Sequence, residues 1–115
     1  MPLRIVYVDD EPAICENFQD YFSSPDIFVQ TFTNPHDAIR AVRSSVPDLI
    51  ILDYRMPEMT GDQIALEMNA PVPMVLFTGE LELKPEYPFH RIIRKSADMS
   101  QIIKIIDEIK SSIKQ

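Results

Sequence analysis

A single cysteine, Cys15, stands in a chain of 115 residues. One thiol excludes an internal disulfide and fits a reducing compartment. It falls inside an expected helix beside Ile14, with no histidine near it in sequence. It therefore reads as a buried or half-buried structural thiol rather than a nucleophile. Basic residues are also scarce: 11 Lys and Arg against 18 Asp and Glu leave a net charge of −7. A protein that neutralises nucleic-acid phosphates needs the opposite excess, which argues against nucleic acid as a direct partner. The acidity has a plainer use in keeping a small domain soluble. No apolar run approaches the ~20 residues of a membrane-spanning helix, and no basic-then-apolar leader opens the chain. Membrane insertion is not expected, and the protein reads as cytoplasmic. Repeats, linkers and low-complexity tracts are missing too. The length supports one core and is too short for two, so 1–115 reads as one domain without a separate output domain. With 45% hydrophobic and 25% charged residues, that domain is of ordinary globular composition.

What the chain does have is a pair of short apolar runs that end abruptly in acid. Leu49-Ile50-Ile51-Leu52 meets Asp53, and Ile5-Val6-Tyr7-Val8 meets Asp9-Asp10-Glu11-Pro12. Runs of this length, rich in β-branched residues and bounded by breakers, read as strands buried on both faces. Laid parallel, they deliver Asp9, Asp10 and Asp53 to one edge of a sheet. Carboxylates held together repel one another unless a cation is shared among them.

The remainder alternates. Strand one is expected over 4–8. A helix follows to about Ser23, with Pro12 in its first turn and Ile14, Phe18, Tyr21 and Phe22 at helical spacing. Strand two spans 27–32. Thr33 or Asn34 can cap a second helix whose apolar positions are Ala38, Ile39, Ala41 and Val42. Strand three spans 49–52, and a short third helix runs from Gly61 to about Met68. Strand four spans 74–77 and strand five 91–94. The last helix runs from about Asp98 to Ser112 on a stripe of Ile102, Ile105, Ile106, Ile109 and Ile113. Fivefold βα alternation implies a doubly wound parallel sheet with right-handed crossovers. Sites in such sheets lie beyond the carboxyl ends of the strands. Those ends carry Asp9, Asp10, Asp53, Thr78 and Lys95. Taken singly, each has a plain reading as a turn residue or a solvated charge; their joint placement does not.

With those residues in place, the chain resembles the receiver domain of two-component response regulators, the CheY-like module, over its whole length. Val8-Asp9-Asp10-Glu11-Pro12 matches the family's acidic pair. The stretch Asp53-Tyr54-Arg55-Met56-Pro57-Glu58-Met59-Thr60-Gly61 matches its D-x-x-M-P-x-M-x-G loop at every fixed position. Phe77-Thr78-Gly79 supplies the hydroxyl after strand four, and Lys95 the lysine after strand five. The resemblance implies the flavodoxin-like strand order 2-1-3-4-5. It also implies a switch that is not an enzyme in the usual sense, accepting a phosphoryl group on Asp53 from a sensor histidine kinase or phosphotransfer protein and passing the signal to a protein target. Mg²⁺ would be held by Asp10, Asp53 and the backbone carbonyl of Arg55, and by Asp9 through a water. Lys95 and Thr78 would meet phosphoryl oxygens.

Four departures accompany the match. The proline usual after the lysine is Ser96, so a cis Lys95–Ser96 bond would cost about 2.5–4 kcal/mol. The aromatic expected three residues before the lysine is Ile92. Only residues 79–89 separate strands four and five, so the helix of the fourth crossover is expected to be shortened or absent. The third helix is also short. An altered output face beside a complete acid site leaves a rival open: a receiver-fold binding module that works without phosphate. An aspartyl-nucleophile hydrolase fits poorly, because Arg55 stands where its acid/base carboxylate belongs. Arg55 and Glu80 should overhang the site, either as a shielding pair or as two independent solvated side chains.

Overall fold

Three largely apolar runs become the three central strands. In the computed structural model, which describes residues 2–80, 84–95 and 99–113, strand and helix alternate from the start. The elements are β1 (Leu3–Val8), α1 (Pro12–Phe22), β2 (Ile27–Phe32), α2 (Pro35–Ser44) and β3 (Leu49–Leu52). They continue as α3 (Gly61–Met68), β4 (Met74–Thr78), β5 (Arg91–Arg94) and α4 (Ser100–Ile113). The strands form one sheet in the order β2-β1-β3-β4-β5, every pairing parallel. Expectation and structure agree on strand order and on the bounds of β3, α3 and β5. Thr78 is the last residue of β4 rather than the first after it.

Every residue of β3 and β4 is buried. Burying an aliphatic side chain of this size contributes about 1.5–3 kcal/mol, so register errors here are costly and the strand ends are fixed in space. Alternate residues face two apolar layers. Tyr7, Phe18, Phe22, Ile51, Phe77, Ile93 and, from α4, Ile102, Ile105, Ile106 and Ile109 form one. Val6, Val8, Val42, Leu52, Met56, Ile64, Met68 and Leu76 form the other, against α2 and α3. Helix starts follow local chemistry. Asn34 caps α2 by accepting from the His36 and Asp37 N–H groups. Thr60 and Gln63 form a reciprocal capping box on α3, and Asn69, left-handed at φ 44°, ends it.

Among the described residues no helix joins β4 to β5. A strap over residues 84–90 lies there instead. Its Tyr87 and Phe89 rings pack 5.0 Å apart against the α3-side layer. Asp62, in the first turn of α3, accepts the Glu86 N–H at 2.9 Å and the Tyr87 N–H at 3.4 Å. Ile92, standing where the family's aromatic is expected, is 49% exposed on β5. The Lys95–Ser96 bond lies outside the described residues, as does Asp98, the expected start of the last helix.

Candidate functional site

The acid site is assembled by backbone pairing that runs one residue past the strands. Val8 pairs with Leu52 across β1 and β3. The Asp53 N–H then donates to Val8 O at 2.9 Å, the Asp9 N–H to Phe32 O at 3.1 Å, and the Lys95 N–H to Thr78 O at 2.8 Å. The side chains of Asp9, Asp53 and Lys95 therefore leave a fixed frame at the same edge. Asp9, Asp10 and Asp53 each offer a carboxylate oxygen, and these oxygens lie within 4.8 Å of one another. Lys95 Nζ stands 2.7 Å from Asp9 Oδ2 and 3.4 Å from Asp53 Oδ1.

Burial sharpens the electrostatics. Asp9 is fully buried and Asp53 nearly so. Burial raises the Asp53 carboxyl above the usual carboxylate range, with Asp9 adding to the rise and Lys95 opposing it. Burial works against the Lys95 ammonium, but its hydrogen bond to Asp9 and the charge of Asp53 outweigh that and raise its pKa. Three carboxylates beside one ammonium leave excess negative charge, and the donors are all oxygens. That donor set fits a hard divalent cation such as Mg²⁺.

Around this centre, Thr78 is buried at the end of β4, and its hydroxyl oxygen accepts the Glu80 N–H at 3.1 Å. The hydroxyl keeps its own proton to donate. Arg55 and Glu80 form a salt bridge at the rim, and the Arg55 guanidinium lies 5.8 Å from the Tyr54 ring centroid. The pairing is thus formed rather than left as two separate solvated chains. The loop after Asp53 closes through the Gly61 N–H on Tyr54 O at 2.6 Å. A Cβ on Gly61 would sit 2.9 Å from Leu76 Cδ1 and 3.1 Å from Asp53 O, so a side chain there would crowd the start of α3 against the acid edge. At Gly79 a Cβ would meet nothing within 4 Å, which leaves open space beside Thr78. Met56 is buried loop packing. His36 bonds Glu58 at 2.8 Å on the surface.

By sequence Tyr7 is one more residue of an apolar strand. Its hydroxyl in fact donates to Asp9 Oδ2 at 3.0 Å. The signal was available: in a strand, residues two apart share a face, so Tyr7 and Asp9 point the same way. Burial and the Asp9 carboxylate together hold that hydroxyl protonated, far above its ordinary pKa. Cys15 donates to Asp9 O at 3.2 Å, and burial pushes its thiol up to about 11.

Comparison with known proteins identifies the family and the fold. The chain belongs to the response regulator receiver domain family, whose model matches residues 5–107. It is 34% identical over 75 residues to regulatory protein LuxO of Vibrio cholerae, covering 63% of this chain and 16% of LuxO. It is 30% identical over 91 residues to a protein-glutamate methylesterase/protein-glutamine glutaminase of Oleidesulfovibrio alaskensis, covering 76% of this chain and 26% of that protein. The chain thus spans well under half of these relatives. Response regulator TrrA of Thermotoga maritima, solved in complex with Mg²⁺–BeF, shares the fold at a TM-score of 0.82 and 24% identity. The alignment covers 93% of this chain and 98% of that one.

Proposed function

We propose that this receiver domain is a phosphoacceptor switch in a two-component phosphorelay, with Asp53 as the acceptor. The observation that carries the reading is the acid cluster of Asp9, Asp10 and Asp53 with the Lys95 ammonium against two of its members. An Asp53 carboxylate oxygen forms a bond to phosphorus as the bond from phosphorus to a phosphohistidine nitrogen breaks. The imidazole leaves with the electron pair. Lys95 and Thr78 take phosphoryl oxygens, the first as a point charge and the second as a hydroxyl donor. Asp10, Asp53 and the Arg55 carbonyl would hold Mg²⁺, with Asp9 engaging it through a water; the ion neutralises charge on the phosphoryl oxygens. The Arg55–Glu80 pair shields the aspartyl phosphate from water. The donor is a sensor histidine kinase or phosphotransfer protein, the receiver of the signal is another protein, and the setting is the cytoplasm.

Intact-mass analysis after incubation with acetyl phosphate and Mg²⁺ tests this. One phosphoryl adduct is expected in the wild-type protein and none in Asp53→Asn. No adduct in either rejects the reading. The second reading, a binding module indifferent to phosphate, draws on the half-exposed Ile92 and the strap in place of a crossover helix. Beryllofluoride with Mg²⁺ separates the two: a module indifferent to phosphate gives the same spectrum with and without it.

A further inference from the structure

We propose that Tyr7 is a positioning residue for phosphoryl transfer at Asp53, acting through Asp9 and Lys95. Its hydroxyl keeps Asp9 Oδ2 satisfied while Lys95 leaves that oxygen for an incoming phosphoryl group. The inference rests on the phosphoacceptor reading above.

Asp9 is a carboxylate with no exposed surface, held by three donors. Oδ2 accepts from the Tyr7 hydroxyl at 3.0 Å and from Lys95 Nζ at 2.7 Å, while Oδ1 accepts from the Glu11 N–H at 3.0 Å. Two of these donors are fixed. The Glu11 N–H is backbone. The Tyr7 ring is fully buried, stacked on Phe18 at 4.1 Å and 6°, and set edge-on to Phe77 at 6.4 Å and 60°. Lys95 is the mobile one. Its side chain is 23% exposed, its stem is flexible, and its ammonium already lies 3.4 Å from Asp53 Oδ1. In this proposal Lys95 turns from Asp9 to serve a phosphoryl group on Asp53. A buried carboxylate oxygen stripped of its donor is strongly penalised, which would hold the lysine back. The Tyr7 hydroxyl remains on the same oxygen and lowers that penalty. Phe77 supports both donors, since the Lys95 ammonium also lies 5.9 Å from its ring centroid. A phenylalanine at position 7 would fill the same core space without this contact.

The test is a double-mutant cycle on the rate of adduct formation with acetyl phosphate and Mg²⁺, using wild type, Tyr7→Phe, Lys95→Ala and the double variant. Tyr7→Phe keeps the ring packing and should be phosphorylated about tenfold more slowly, the effect of losing one donor to an ionised group. In the Lys95→Ala background the same substitution should change nothing further, because the lysine it acts through is gone. Undiminished slowing in that background overturns the proposal. So does a Tyr7→Phe protein that melts lower yet is phosphorylated at the wild-type rate, since the hydroxyl is then only a structural partner. If the wild-type protein takes no adduct, the phosphoacceptor reading fails and this role with it. A second readout covers a Tyr7→Phe protein that does not fold. With 3-fluorotyrosine at position 7, beryllofluoride and Mg²⁺ should shift the fluorine resonance more when Lys95 is present than in Lys95→Ala. Equal shifts in both overturn the proposal.

Discussion

Replacing Lys95 by methionine should destabilise the cation-free protein and tighten its grip on a divalent cation. The ammonium makes a 2.7 Å contact with Asp9 Oδ2 and lies 3.4 Å from Asp53 Oδ1. Removing one partner of a fully buried pair costs about 3–5 kcal/mol. Two features reduce that here. Lys95 is 23% exposed, and Asp9 keeps the Tyr7 hydroxyl and the Glu11 N–H. A loss of about 2 kcal/mol follows, or roughly 8 °C in melting temperature for a domain of this size. The opposite sign is expected for cation binding. Lys95 and a bound cation would neutralise the same carboxylates, so loss of the lysine leaves a more negative site. A unit charge about 4 Å away is worth about 4 kcal/mol at an effective dielectric of 20. Realising only a third of that gives roughly tenfold tighter binding. Calorimetric titration with Mg²⁺ at neutral pH measures the affinity, and melting with and without Mg²⁺ measures the linked stabilisation. An affinity in Lys95→Met equal to or weaker than wild type would refute the view that ammonium and cation share these oxygens.

Three further outcomes follow from named contacts. Burial raises the folded-state pKa of Asp53, so its contribution to stability is fully present below the unfolded value of 3.8 and is lost as pH rises through the folded value. Asp53→Asn should therefore melt above wild type at pH 7 without divalent cation, and the gain should vanish in acid; a variant melting at or below wild type at pH 7 contradicts this. Gly61→Ala places a Cβ 2.9 Å from Leu76 Cδ1 and 3.1 Å from Asp53 O, and should cost about 1–3 kcal/mol by urea denaturation. An unchanged midpoint would show that α3 moves away freely. Arg55→Ala removes the rim salt bridge to Glu80 and should speed loss of the aspartyl phosphate while leaving the melting temperature unaltered. Unchanged decay would leave the pair without a shielding role.

The parts of this protein legible in its sequence are those set by local periodicity. Leu49–Leu52 reads as a buried strand because four consecutive aliphatic residues end in a carboxylate, and the bounds match those observed. Gly61–Met68 reads as a helix because its glycine and its apolar positions are local signals. The acid residues follow, since strand ends in a parallel sheet share an edge. What escaped depends on contacts between distant residues or on a polar atom inside an apolar run. The Tyr7 hydroxyl is hidden in Ile5-Val6-Tyr7-Val8, where the ring accounts for the residue and only the strand's twofold period points to Asp9. Asp62 looks like an ordinary first-turn acid on α3, and its bonds to Glu86 and Tyr87 span 24 and 25 residues. The spacing between strands four and five points to a crossover helix shortened or absent, but not to what covers the sheet instead.

The acid site and the fourth crossover answer to separate physical requirements, so one can keep the family pattern while the other departs from it. The site needs strand ends in register. That register comes from the β1–β3 and β4–β5 ladders and from the burial of β3 and β4, none of which involves the crossover helix. The crossover needs only to cover apolar surface on the α3 side of β4 and to pair its backbone polar groups. Tyr87 and Phe89 supply the apolar cover, and both Asp62 carboxylate oxygens take N–H groups of the strap. The strap meets those needs with no helix among the described residues. Ile92 on β5 is left half exposed. The Asp62 bonds tie the strap to the first turn of α3. That turn begins at Gly61, against the Asp53 carbonyl at the acid edge. Acid edge, α3 start and strap are therefore consecutive contacts in one short stretch of structure. The contacts that join the loop after Asp53 to the strap run through Gly61 and Asp62.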